Sequence, residues 1–99
     1  MNQATLSLCS EIDAYMNKSG VPKNRWYVGI TSDIEERLFG YHSLTRPYGW
    51  WIYRECLNAA EARALEAAYH RAGCQGSGGG GNRTCVYIYA YVISPTTVE

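Results

Sequence analysis

The residues best suited to chemistry are concentrated between Trp26 and His42, in the run W-Y-V-G-I-T-S-D-I-E-E-R-L-F-G-Y-H. Arg37 presents a planar fork of donors that fits two phosphate oxygens at once. Tyr41 lies four residues further on, so the two side chains share one face of a helix. Tyr27 carries a second phenolic hydroxyl, and Gly29 leaves its backbone open to close approach. A guanidinium to absorb developing negative charge and a hydroxyl to orient or deprotonate water are parts that phosphodiester hydrolysis requires. The ordinary readings are a sheet aromatic for Tyr27, a strand-to-helix turn for Gly29, an ion pair with Asp33 for Arg37 and a core-edge ring for Tyr41.

The elements that must position these residues follow from pattern. Leu8, Ile12, Tyr15 and Met16 recur at helical spacing within residues 5–19, and Ser19-Gly20 with Pro22 predicts the stop. Arg25–Thr31 is aromatic and β-branched and reads as a strand. Ser32 and Glu35 form a capping box for a helix running to about His42. After a loop at Ser43–Gly49, Trp50–Cys56 reads as a second strand. Asn58 and Glu61 form another capping box, opening an alanine-rich helix over Ala59–Ala72 that closes at Gly73. Gly76–Gly81 is glycine and serine only, a loop whose amides could also cradle a phosphate. Cys85–Ile93 is the strongest strand signal, and Pro95 ends it. The expected order is α-β-α-β-α-β, an α/β (α+β) domain with a small three-stranded antiparallel sheet and helices on one face. One domain covers 1–99: an N-terminal helix and linker over 1–24, a core over 25–93 and a tail over 94–99.

Over residues 26–82 the chain resembles the GIY-YIG nucleases. Tyr27-Val28-Gly29 stands for Y-I-G, with Arg37 eight and Tyr41 twelve residues after the glycine. That family carries an arginine at the first offset and a tyrosine or histidine at the second. The resemblance implies that Glu66, on the later helix, holds a single Mg²⁺ or Mn²⁺, and that Asn82 and His42 support the site. One carboxylate is a hard oxygen ligand suited to Mg²⁺, leaving other positions to water and phosphate. The family's GIY strand, which precedes YIG by a short turn, has no match before Trp26. Tyr15 has near the usual spacing, but Asp13, Ala14, Met16 and Asn17 are poor strand formers. Val86-Tyr87-Ile88 is the alternative, with Tyr87 as the catalytic tyrosine and the strand moved to the C-terminus by circular permutation. Pairing of Cys85–Ile93 with Arg25–Thr31 is then expected.

Composition bounds the function. Nine basic residues balance nine acidic ones, so no electrostatic surplus draws in nucleic acid. Cys9, Cys56, Cys74 and Cys85 form no C-x-x-C pair and are not spaced with His42 or His70, which argues against a zinc site. They read as reduced core residues of a cytoplasmic protein. No apolar run is long enough to span a membrane. Trp50 and Trp51 are candidates for base stacking or for the core. The first expectation is a metal-dependent DNA endonuclease acting through Tyr27, Arg37, Tyr41, Glu66 and Tyr87. The second is a module that keeps the fold without cleavage and holds a nucleotide or protein partner. The third is self-association, as a homodimer, through the tyrosine-rich final strand.

Overall fold

A computed structural model describes residues 3–34, 50–76 and 85–93. It is an α+β structure with a three-stranded antiparallel sheet. Helix α1 spans Gln3–Ser19, a 3₁₀ turn follows at Lys23–Arg25, and strand β1 is Trp26–Thr31. Strand β2 is Trp51–Glu55, helix α2 is Ala59–Arg71 and strand β3 is Tyr87–Val92. All but residues 32–34 of the helix expected over 32–42, and most of the glycine run, lie outside the described residues.

Both helices have legible ends. Ser19 closes α1 by donating its hydroxyl to the Met16 carbonyl and accepting from Val21 N–H. Asn58 Oδ1 accepts from Glu61 N–H at 2.9 Å, and Glu61 Oε1 accepts from Leu57 N–H at 2.9 Å. Two otherwise orphaned donors are thereby satisfied. At the other end Cys74 N–H reaches Tyr69 O and Gly73 N–H reaches His70 O. Gly73 has φ +112°, the conformation this Schellman closure needs.

The sheet order is β1-β3-β2. The strand latest in sequence is therefore central, antiparallel to both neighbours. Strict alternation divides its faces. Trp26, Val28, Ile30, Ile52, Ile88 and Ala90 point to one side, where they form one buried core with Ile12 and Met16 of α1 and Ala62, Leu65 and Tyr69 of α2. Tyr69 also donates to Asp13 Oδ1 at 2.9 Å, tying the helices together. The opposite face carries Tyr27, Gly29, Tyr87, Tyr89, Tyr91, Trp51 and Tyr53. The two described helices thus cover one face, and the excess of tyrosine lines the other.

Candidate functional site

The tyrosine face is built on β1 and β3. Tyr27 stands opposite Tyr91, Gly29 opposite Tyr89 and Thr31 opposite Tyr87. Tyr27 stacks on Tyr91 with ring centroids 5.2 Å apart and on Tyr89 at 6.3 Å. All three rings are buried, with Ile34, Trp51 and Ile93 packed against them. Toward β2 the same face opens: Trp51 lies nearly parallel to Tyr53, and Tyr53, 42% exposed, meets Tyr87 edge-on.

The strand pairing expected from the sequence is present, but its register does not bring Tyr87 beside Tyr27 as that pairing is expected to do. Tyr87 pairs with Thr31, four residues along β1 from Tyr27. Tyr91 stands opposite Tyr27, and the tyrosine that meets Gly29 is Tyr89. A Cβ placed on Gly29 would stand 2.5 Å from Tyr89 Oη and 2.6 Å from its Cζ. Gly29 therefore makes room for a ring tip, a reason that neither a turn nor a ligand supplies. The signal for Tyr89 is in the sequence: Tyr87-Ile88-Tyr89 ends in Ile-Tyr, and period-two alternation puts Tyr87, Tyr89 and Tyr91 on one face. Only the register selects among them. Tyr15 is no substitute, because Ala14–Asn17 is helical; its hydroxyl accepts from Trp51 N–H at 3.2 Å.

Glu66 lies on α2 and is only 8% exposed. Burial raises its pKa above the usual carboxylate value, while His70 and Arg63 pull it down. Among the described residues no hydrogen bond or ion pair engages its carboxylate. One turn on and on the same helical face, His70 Nε2 lies 2.9 Å from Val28 O. A carbonyl only accepts, so Nε2 carries the proton. Glu66 is thus a desolvated carboxylate on the helix that touches β1 between Tyr27 and Gly29.

Arg37, Tyr41, His42 and Asn82 lie outside the described residues. Ser32 is exposed, and the hydroxyl that holds Asp33 N–H is that of Thr31, at 3.0 Å. The four cysteines are free; Cys56, Cys74 and Cys85 are buried, and burial pushes the Cys56 thiol to about 11. Trp50 packs against Tyr15 with centroids 5.4 Å apart and stays 37% exposed, whereas Trp26 is the tryptophan that fills the core. Among the described residues no three His, Cys, Asp or Glu side chains cluster as a metal site, and no helix is long and apolar enough to cross a membrane.

Comparison with family models, with curated proteins and with solved structures found no match to this chain.

Proposed function

We propose that the chain is a GIY-YIG-like domain in permuted order that hydrolyses phosphodiesters in DNA with the help of Mg²⁺ or Mn²⁺. The observation that carries this reading is Tyr89 seated on Gly29 beside Tyr27. A YIG-like strand runs antiparallel to a strand whose Ile-Tyr pair meets its glycine, as a GIY-YIG hairpin requires, with the connection broken and the termini moved. Glu66 fits a one-carboxylate cation site in that it is a hard oxygen donor held desolvated on α2, with the charges of His70 and Arg63 opposing the effect of burial. A bound divalent cation would polarise the phosphate and lower the pKa of a water. Arg37 is assigned the charge developing on the phosphate, and the hydroxyls of Tyr27, Tyr41 and Tyr89 the orientation of water and its proton.

The test is incubation of the protein with single- and double-stranded DNA and Mg²⁺ or Mn²⁺. Cleavage that falls roughly 100-fold in Arg37→Ala supports the reading, because it removes stabilisation felt chiefly in the transition state. Absence of cleavage over hours at micromolar protein overturns it. The second reading is a non-cleaving module for a nucleotide or protein partner. A net charge of zero and the half-open Trp51–Tyr53–Tyr87 strip favour it, since stacking binds planar rings without an electrostatic surplus. Retained binding without turnover selects it.

A further inference from the structure

Among the described residues no strand lies beside the outer edge of β1, yet that edge is not bare. Gln75 N–H donates to Trp26 O at 2.7 Å, and Val28 N–H donates to Gln75 O at 2.9 Å, forming a one-residue parallel bridge. The Gln75 side chain adds a bond to Asn24 O at 3.3 Å. The next outward group is Val28 O, which His70 Nε2–H satisfies from α2. Val28 is 1% exposed, so its carbonyl would lose a partner with little water to replace it. Gly76 completes the arrangement, because a Cβ there would collide with His70 Nε2 and with Val28 O. The first glycine of the glycine-rich run is therefore small because of the histidine beside it.

We propose that His70 is a positioning residue: its bond to Val28 O latches α2 to β1 and fixes Tyr27 and Gly29 relative to Glu66. Val28 is the residue between Tyr27 and Gly29, and Glu66 is one helical turn from His70. The latch thus ties the helix that carries Glu66 to the strand that carries Tyr27 and Gly29. Its functional consequence rests on the nuclease reading, whereas the latch itself does not. His70 touches no reacting atom in this scheme. It acts through backbone, and any donor of similar reach serves.

The experiment uses the full chain and three variants: His70→Leu, which removes the donor; His70→Gln, whose amide restores one; and Gly76→Ala, which displaces the imidazole without altering it. The carbonyl ¹³C shift of Val28, the group that accepts the bond, reads the latch, and cleavage of DNA with Mn²⁺ reads the site. The expected result is an upfield move of that shift in His70→Leu and Gly76→Ala relative to wild type, with His70→Gln restoring it. Turnover follows the same order, falling at least tenfold at unchanged KM. Amide exchange in β3 stays as in wild type, which separates loss of the latch from loss of the fold. An unchanged Val28 carbonyl shift in both disrupting variants overturns the latch, as does failure of His70→Gln to restore it. An altered shift with unaltered turnover overturns the positioning role. If the wild type does not cleave, the nuclease reading and the positioning role fall together, and the Val28 carbonyl shift still decides the latch.

Discussion

Two residues can be tested singly. Gly29→Ala should destabilise the protein by about 1–3 kcal/mol, the usual cost of overpacking, because its new Cβ meets the tip of Tyr89. Tyr89→Leu in the same chain should recover part of that loss, since residues in contact are non-additive. Denaturant unfolding of the two single variants and the double variant measures the coupling, and strict additivity would refute the contact. Glu66 makes a pH-dependent prediction. Its folded pKa is raised by burial, so folding favours the protonated acid. The favourable contribution is fully present below the unfolded pKa and is lost as pH rises through the folded one. Glu66→Gln should match wild type in acid and exceed it in stability at neutral pH. Added Mn²⁺ should narrow that gap only in wild type if Glu66 is a ligand. A Gln variant weaker than wild type at pH 7 without metal would mean that the carboxylate has a stabilising partner.

At the scale of elements, the caps were open to sequence reading and the register was not. Asn58 and Glu61 sit three apart before an alanine-rich run, and the structure closes both of their bonds. Asn58→Ala should cost about 1 kcal/mol, seen as a lower thermal midpoint with no change in the folded spectrum. The C-terminal ends of α1 and α2 fall within one residue of expectation because Gly20, Pro22 and Gly73 punctuate the chain. Pairing of the last strand with β1 was also legible, since β1 lacked a partner upstream. The choice among Tyr87, Tyr89 and Tyr91 was not, because three tyrosines at period two look alike until cross-strand contacts break the tie. The role of His70 was hidden for another reason. Its partner is a backbone carbonyl 42 positions away in sequence, and no side-chain pattern marks such an acceptor.

For the whole molecule, the place of β3 bears on self-association. A homodimer formed by edge pairing of the tyrosine-rich final strand needs that strand at an edge, and β3 is instead central, with both of its sides hydrogen-bonded. The edges belong to β1 and β2. The latch and Gln75 occupy that of β1. On β2, Tyr15 Oη accepts from Trp51 N–H, and Arg54 Nη1 donates to Tyr53 O at 2.7 Å while its Nε is braced by Glu11 at 2.9 Å. Satisfying outward backbone groups with side chains, and setting a charge on the strand, removes the template for strand addition. The isolated 11.1 kDa chain should therefore sediment as a monomer at tens of micromolar. Replacing Tyr15 by Phe and Arg54 by Ala together frees one donor and one acceptor on that edge beside the half-exposed Tyr53. The double variant should self-associate in a concentration-dependent way, while Arg63→Ala, a change at an exposed position of α2, should not. A wild-type dimer at these concentrations would show that the pairing surface lies elsewhere than the β2 edge, and a monomeric double variant would show that the two side chains do not guard it.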